Sequence, residues 1–476
     1  MLLIGRRRLG KQVSKVVERS GLAFAVGSLL AGSVLVGAIN SVSAQQLTPP
    51  NSMLQMGMHI PQAKDGVWPD VPIGSIRLWD TGVSWREINT AAGVYDWSTL
   101  DRVVDLASRN NAAVLYAFGN TPSWAAEPGC LERQGGAIKG AGANCPAKDK
   151  KSFTDFASAL ADRYKGRIEA YELWNEANIG TFWQGTTLEL FSMTSEGARA
   201  IRAKDPNAKI VSASVTTRLD TAFTKFLPEY LDLLRTANWP IDAFAVHTYP
   251  AGSFPGNTLR QQALNAIEAR TESIKRVHSS LAAFAKPSRV EIWDTELNFG
   301  LAGPGPTPHT DYPDLVQASL VTLSYFESWS TGIARTYWFA WGPKDQESIV
   351  KFGVTSNNDS VGAKAFSRYG DWVRAGFFGI DGSKCAGRSV GREAAQSTYS
   401  VVTCLISEKD GMQVRFGVVG ENVLGLVWGN RTGGLLWASL GPCVDRPREP
   451  TLVPVEIFSS VPYIVTTGGG TCPSLT

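Results

Sequence analysis

Two glutamates that follow apolar runs are the residues of this chain best suited to do chemistry together. Glu176 follows Asn175 in the stretch EAYELWNEANIGTFWQG, residues 169–185, and Glu296 ends the stretch RVEIWDTE, residues 289–296. Carboxylates are rarely buried unless something holds them. A protonated and an ionised carboxyl group that face each other can cleave a glycosidic bond. The first protonates the leaving oxygen, and the second attacks or stabilises the sugar carbon.

Three neighbouring acids are alternatives to these two. Glu291 opens the same run as Glu296 and would lie at the structural end of its strand. Asp294 lies two residues before Glu296 and could support it. Glu172, four residues before Glu176, is better interpreted as a structural acid than as the proton donor. We therefore predict Glu176 and Glu296 as the catalytic pair.

Distant segments can meet at one edge only if the fold brings strand ends together. Short apolar runs alternate with helix-period segments from residue 53 onward, and this alternation predicts an α/β chain with a parallel sheet. The predicted strands are 53–60, 75–80, 112–119, 168–174, 209–215, 242–249, 289–296 and 334–341. The predicted helices are 97–110, 152–165, 187–204, 221–237, 259–284, 314–329 and 360–375.

Eight such repeats over residues 53–375 predict a closed (β/α)8 TIM barrel. Functional groups in this barrel lie at the carboxyl ends of the strands. Glu176 comes just after the fourth predicted strand and Glu296 ends the seventh, so both are expected at one rim. Residues 380–476 lose the helical period and read as short β runs, which predicts a small accessory β-sandwich domain.

The N-terminus has the order of an export signal. Basic residues come first, an apolar run of about 19 residues follows, and a small-residue site ends at Ala44. We predict cleavage of residues 1–44 and a periplasmic or extracellular protein without stable membrane insertion. An uncleaved anchor is the alternative, and RRRLGK also loosely resembles a twin-arginine signal.

Charge and cysteine content agree with an exported chain. Residues 1–44 hold six Lys/Arg and one Glu, so the remainder has 40 basic and 42 acidic side chains and a formal charge of −2. This balance does not support nucleic-acid binding. Six cysteines in an exported chain predict disulfides. Pairing of sequence neighbours is the simplest of the possibilities: Cys130 with Cys145, Cys385 with Cys404, and Cys443 with Cys472.

Several short motifs together resemble a known family. YELWNEANIGTFWQG, residues 171–185, resembles the acid/base segment of clan A glycoside hydrolases, and its FW pair is close to family 39. IRLWD, GNTPSW, HTY, WDTEL and YWFAWG match further positions along residues 53–375. Ala177 replaces the proline that commonly follows the family's catalytic glutamate, which suggests a distant member.

The resemblance implies roles for individual residues. Glu176 would be the general acid/base and Glu296 the nucleophile of a retaining mechanism, with carboxyl groups about 5 to 5.5 Å apart. Asn175 would bind the sugar 2-hydroxyl. Arg77 and Tyr249 would orient Glu296, and His247 occupies the family's histidine position. Arg77 and His247 could instead be structural residues, the one neutralising a buried acid and the other satisfied within the core.

Aromatic side chains near strand ends are further binding candidates. Trp183, Trp124 and Trp341 could stack on sugar rings, and either Trp338 or Trp341 would form the floor of the site. Each could equally be a core residue. The Pro/Gly-rich segment 301–314 could be a wall over the cleft or a plain connection.

The sequence therefore predicts a retaining glycoside hydrolase that acts on a polysaccharide or oligosaccharide, and we favour a bacterial polysaccharide. The four histidines show no metal-ligand spacing, so neither a metal nor another cofactor is expected. The alternatives are a polysaccharide-binding barrel without catalysis and a transglycosylase that uses the same residues.

Overall fold

The computed structural model describes residues 53–133, 140–250, 259–300, 331–342 and 360–374, parts of 312–328, and the backbone of five later strands. The chain divides into an N-terminal unit, Met1–Gln45, and the remainder, Gln46–Thr476. The N-terminal unit lies outside the described residues, so the export signal stays a prediction. Among the described residues, no helix is both long and apolar enough to cross a membrane.

A closed parallel barrel forms at the predicted positions. Its strands are β1 (Met56–Met58), β2 (Ser75–Leu78), β3 (Ala113–Ala117), β4 (Ala170–Glu172), β5 (Lys209–Val211), β6 (Val215–Thr216), β7 (Ala243–His247), β8 (Glu291–Leu297) and β9 (Arg335–Trp338). They run in the order β5-β4-β3-β2-β1-β9-β8-β7-β6, and β5 also pairs with β7 to close the ring. Strands β5 and β6 both pair with β7 and share one position in the barrel, so the nine strands occupy eight positions. The predicted TIM barrel is confirmed.

Helices lie between the strands. They are α1 (Trp85–Ile88), α2 (Ser98–Arg109), α3 (Pro128–Arg133), α4 (Lys150–Arg163), α5 (Thr187–Lys204), α6 (Asp220–Thr236), α7 (Leu259–Ala283) and α8 (Val361–Arg374). Described residues between 317 and 328 are also helical. The short helices α1 and α3 were not expected from the sequence, because four and six residues are too few to show a helical period.

Local sequence explains where a typical helix begins and how it packs. The Thr186 side chain accepts a hydrogen bond from the Glu189 N–H, and the Glu189 side chain accepts one from the Thr186 N–H, which completes a capping box at the start of α5. At Gly197 on the same helix, a Cβ atom would lie 2.4 Å from the Phe153 ring of α4. The missing side chain therefore lets these two helices approach closely.

Apolar side chains form two separate clusters, one inside the barrel and one between the sheet and the helices. Side chains that alternate along the strands form a small interior cluster: Leu115, Ala170, Val211, Ala243, Ala245, Trp293 and Tyr337. The main core lies between the sheet and the helices and includes Ile76, Leu78, Phe244 and Trp338. Because side chains alternate with a period of two, Arg77 and Glu172 point into the barrel.

A β-bulge breaks this alternation in β8. Val246 pairs with Asp294, but His247 pairs with Glu296, so Thr295 is an extra residue against β7. The pairing with β9 slips at the same place. Trp293 faces the interior, and strict alternation would turn Glu296 toward the helices. The extra residue reverses the facing, and Glu296 joins the interior side chains.

The region after the barrel contains strands β10 (Cys385–Gly391), β11 (Thr398–Lys409), β12 (Met412–Val419), β13 (Asn422–Asn430) and β14 (Leu435–Trp437). They form an antiparallel meander in chain order. The second sheet that a sandwich needs would have to come from residues outside the described ones. The predicted Cys130–Cys145 disulfide is present. Cys385 lies opposite Cys404 in the register, whereas Cys443 and Cys472 lie outside the described residues.

Candidate active site

Arg77 connects three functional groups inside the barrel. It is fully buried on β2, and its Nε and Nη2 atoms donate to both carboxylate oxygens of Glu172 at 2.7 and 2.6 Å. Its Nη1 donates to Oε1 of Glu296 at 2.6 Å, and its Nη2 also donates to Oδ1 of Asn175 at 2.7 Å. The guanidinium thus stabilises two buried carboxylates and fixes the side chain of Asn175, the residue before Glu176. Glu172 is the structural partner that the sequence suggested.

Glu176 lies in the turn after β4 in a strained backbone conformation. Its φ angle is +40°, a region that costs a non-glycine residue about 1 to 3 kcal/mol. The surroundings hold this conformation, because the Glu176 N–H donates to Oγ of Ser214 at 2.9 Å and the Ala177 N–H donates to the Ser214 carbonyl at 3.0 Å. The strained backbone therefore belongs to Glu176, the residue predicted to be the general acid/base.

Glu296, on the bulged strand β8, accepts hydrogen bonds on both oxygens. Besides the Arg77 contact, its Oε2 accepts a hydrogen bond from the Tyr249 hydroxyl at 2.9 Å. His247 lies between the two glutamates, with Nδ1 2.9 Å from Oε1 of Glu176 and 3.5 Å from Oε2 of Glu296. The two carboxylates are therefore linked through one imidazole.

The spacing and the charges distinguish the two carboxyl groups. One oxygen of Glu176, one of Glu296 and a nitrogen of His247 all lie within 4.8 Å of one another. Burial, opposed mainly by the charge of Arg77, raises the pKa of Glu176 to about 7. Burial also raises the pKa of Glu296, while the charge of Arg77 and the hydrogen bond from Tyr249 oppose that rise. Two carboxylates this close share a proton, and the donors on Glu296 favour Glu176 as its carrier.

The same three side chains also have the spacing of a metal-ligand set among the described residues. The donor chemistry fits a proton-transfer network better. Arg77 already supplies a positive charge to Glu296, and Tyr249 donates to its other oxygen. Burial lowers the pKa of His247, so its ring is neutral. The expectation that no metal is required stays a prediction.

Aromatic side chains at the carboxyl ends of the strands form a cluster separate from the main core. Trp79, Tyr249 and Phe339 belong to it, and the half-buried Phe182 packs against it. The Phe182 ring meets Trp79 edge-on at 5.8 Å, and the Arg77 guanidinium lies 5.8 Å from the Trp79 ring. This cluster borders the two glutamates, because its member Tyr249 donates a hydrogen bond to Glu296.

The tryptophans that the sequence suggested lie elsewhere. Trp183 and Trp341 are 4% and 0% exposed and belong to the main core, where Trp183 meets Trp174 edge-on. Trp338 also lies in that core. Trp124 is half-buried, and its Nε1 donates to the Asn89 carbonyl at 2.8 Å. The structure therefore does not place these side chains in the aromatic cluster beside Tyr249.

A period of two could have found the rings that are in the cluster. Trp79 lies two residues after inward-facing Arg77, and Phe339 lies two residues after inward-facing Tyr337. Arg218 was also not anticipated. It follows β6, is 6% exposed, and has its guanidinium 5.8 Å from the Tyr249 ring. Its position after a strand end was the available signal.

Comparison with known proteins identifies the family. Residues 79–330, more than half of the chain, match the model of glycosyl hydrolases family 39. The chain belongs to glycosyl hydrolase family 39. It is accordingly a retaining O-glycosyl hydrolase of clan A, and the predicted family is confirmed. No curated protein matches the sequence.

A solved structure shares the fold of this family 39 chain. A glucosidase from Croceicoccus marinus aligns with a TM-score of 0.51 and 14% identity, over 75% of this chain and 77% of its own. A family 39 glycoside hydrolase from the gut symbiont Bacteroides cellulosilyticus WH2 aligns with a TM-score of 0.47 and 12% identity, over 84% and 74%. At 14% identity, the likeness to the glucosidase shows a common fold and does not extend to the substrate.

Proposed function

We propose that this hydrolase cleaves a polysaccharide or oligosaccharide by double displacement, with Glu176 as acid/base and Glu296 as nucleophile. The observation that carries the proposal is the approach of their oxygens to within 4.8 Å. Retaining enzymes need carboxyl groups about 5 to 5.5 Å apart, whereas inverting enzymes separate them by about 6.5 to 9.5 Å to admit a water molecule.

The chemistry of each step follows from the contacts of each carboxyl group. Protonated Glu176 donates its proton to the glycosidic oxygen while Glu296 attacks the sugar carbon and forms a glycosyl ester. Arg77 and Tyr249 keep Glu296 ionised for this attack. Glu176, now a carboxylate, then removes a proton from the water that hydrolyses the ester, and the starting protonation is restored.

Neighbouring side chains would bind the sugar. The Arg77 contact orients the Asn175 amide so that its NH2 group would donate to the 2-hydroxyl, a contact that strengthens in the transition state. Trp79, Phe182 and Phe339 are better placed to form an aromatic platform than Trp183, Trp341 or Trp124, because they share a cluster with Tyr249. We propose that the platform rather than those tryptophans holds the sugar ring.

The substrate we favour is a bacterial polysaccharide, and we propose that the enzyme is exported to the periplasm or beyond. The order of residues 1–44 supports export, and the Cys130–Cys145 disulfide suits an oxidising compartment. Residues 380–476 would form the accessory sandwich that braces the barrel. Transglycosylation with the same residues is the second candidate, because it differs only in which acceptor enters after Glu296 has reacted.

Replacement of each glutamate tests the assignment. Digestion of a polysaccharide panel, with product masses and anomeric configuration, identifies the substrate and the stereochemical outcome. On that substrate, Glu176→Gln and Glu296→Gln should each lower kcat by about 10³-fold or more. Glu189→Gln, which changes an exposed capping residue of α5, is the control that should leave kcat unchanged.

Azide separates the two roles. With Glu296→Ala, azide should restore turnover and give a glycosyl azide of inverted configuration, because azide replaces the nucleophile. With Glu176→Ala, azide should give the retained configuration by attacking the glycosyl ester. A Glu296→Gln enzyme with full activity would exclude the nucleophile assignment. Binding of the polysaccharide without any product would favour a non-catalytic barrel.

A further inference from the structure

The β-bulge in β8 needs support, because it places one residue outside the regular ladder. Thr295 is the extra residue against β7, and the pairing with β9 slips between Asp294 and Leu297. Its neighbour Glu296 depends on this bulge to face the barrel interior. A bulge leaves backbone groups of the extra residue without ladder partners, and buried backbone carbonyls need donors. A donor to the Thr295 carbonyl would therefore stabilise the bulge beside Glu296.

That donor is the His59 side chain. His59 follows β1, is fully buried, and places Nε2 2.9 Å from the Thr295 carbonyl oxygen. Its backbone is fixed on both sides, because its N–H donates to the Trp338 carbonyl and its carbonyl accepts from the Trp341 N–H. The ring also meets Phe339 edge-on at 5.0 Å. The imidazole thus has one defined orientation.

The protonation state of the ring follows from its partner. A carbonyl oxygen only accepts hydrogen bonds, so the hydrogen must be on Nε2. Burial and the charge of Arg77 hold the pKa of His59 well below its usual range, so the ring stays neutral. His59 is therefore a neutral donor that contacts the bulge from the end of β1 and does not alter the charge beside Glu296.

We infer that His59 is a positioning residue for Glu296, which acts by holding the Thr295 carbonyl and through it the bulge that turns the carboxylate toward the sugar. This inference rests on the proposed nucleophile role of Glu296. The alternative is an ordinary core histidine whose loss lowers stability alone. The two differ in whether the attack by Glu296 slows in the folded protein.

A pair of variants of equal length separates these possibilities. Gln and Met have similar lengths, but only Gln can donate a hydrogen bond to the Thr295 carbonyl. His59→Gln and His59→Met therefore differ mainly in that donor, and His59→Phe keeps a ring without it. His278→Phe, which removes another histidine from helix α7, is the control for general destabilisation.

The rate of covalent labelling reports the attack by Glu296 directly. The probes are 2,4-dinitrophenyl 2-deoxy-2-fluoro-β-glycosides of xylose, glucose, galactose and mannose, whose leaving group needs no proton from Glu176. Misplacement of a reacting group by about 1 Å can cost about 10²-fold in rate. We expect His59→Met and His59→Phe to label about 10²-fold more slowly with an unchanged half-saturation concentration. His59→Gln should recover most of the rate, and His278→Phe should match the wild type.

The outcomes separate this inference from the proposed function. Labelling of a residue other than Glu296 in the wild type refutes the nucleophile assignment. Labelling of Glu296 at equal rates in His59→Met and His59→Gln refutes only the role of His59. The same variants are compared by kcat on the substrate found in the polysaccharide panel, so the inference is also tested if an endo-acting enzyme excludes the small probes.

Discussion

Two fully buried arginines, one inside the barrel and one outside it, make a useful comparison. Arg77 points inward and contacts Glu172 and Glu296. Arg270, on α7, points toward the sheet from outside and contacts Asp294 and Glu327. Each therefore joins two buried carboxylates.

The outer cluster is satisfied by protein groups on every side. Arg270 donates to the Thr248 hydroxyl, the Ser324 carbonyl and the Ser328 hydroxyl, and Asp294 accepts from the Thr248 N–H. Thr248 lies between His247 and Tyr249, so this cluster joins the ends of β7 and β8 from behind. Asp294 and Glu327 are thus both paired with Arg270, and we interpret them as structural acids.

The inner cluster differs because one of its acids, Glu176, can gain or lose a proton near neutral pH. Glu172 is held by two hydrogen bonds from Arg77, but Glu176 contacts His247 and has a pKa of about 7. The difference teaches that a buried ion pair alone does not mark an active site. What marks it is an acid whose charge the surrounding groups leave adjustable.

The largest expected effect is the loss of the inner arginine. Arg77→Met leaves Glu172 and Glu296 without their shared cation, so Glu296 should gain a proton and lose nucleophilicity. We expect kcat/KM on the identified substrate to fall by about 10³-fold or more. Arg77→Lys, which keeps the charge but not the fork of donors, should be intermediate. The comparison breaks if Arg77→Met is no less active than Arg270→Met.

Loss of the outer arginine should act on folding. Arg270→Met removes one partner of a buried pair, so the free energy of unfolding should fall by about 3 to 5 kcal/mol, measured by urea denaturation. The kcat of the folded enzyme should stay within about tenfold of the wild type. Changing Glu327 to Leu in the same chain should recover part of the stability, because only Asp294, which still accepts a hydrogen bond from the Thr248 N–H, is then left without its cation. A large loss of kcat at unchanged stability would contradict this division.

The pH dependence of stability should reveal the adjustable acid. Because the pKa of Glu176 is about 7 in the folded chain and 4.5 ordinarily, the folded state binds its proton more tightly. Its contribution is fully present below about pH 4.5 and is lost as the pH rises toward 7, by about 3 kcal/mol in total. Unfolding of wild type and Glu176→Gln should therefore diverge across this window. Parallel curves would mean that Glu176 titrates normally.

The smallest effect is expected at an ion pair at the amino end of the barrel, in which the arginine is buried and the acid is partly exposed. Arg335 donates to both oxygens of Glu169 at 2.9 and 2.6 Å, and the Glu169 side chain is 30% exposed. Glu169→Gln should lower the free energy of unfolding by about 1 kcal/mol and leave kcat unchanged. A loss as large as that of Arg270→Met would show that solvent exposure does not explain the ranking.

The fold and the meeting of Glu176 with Glu296 were predictable from the chain because both depend on local patterns. Eight apolar runs gave eight barrel positions, and helix α5 occurs at the predicted residues. Strand ends meet at one rim in this barrel, so Glu176 and Glu296 could be paired across 120 residues of sequence. The aromatic residues were harder to place, because Trp183 and Trp341 pack in the main core while Trp79 and Phe339 lie beside Tyr249.

The sequence by itself therefore predicted the barrel, the proximity of Glu176 and Glu296, and, as the simplest pairing, the disulfide that joins Cys130 to Cys145. Only the tertiary structure decided which way Glu296 points, because strict alternation would turn it outward and the bulge at Thr295 turns it inward. The tertiary structure also decided the strained turn at Glu176 and the different partners of Arg77 and Arg270. These features depend on contacts between residues far apart in the chain, and a local pattern cannot encode them.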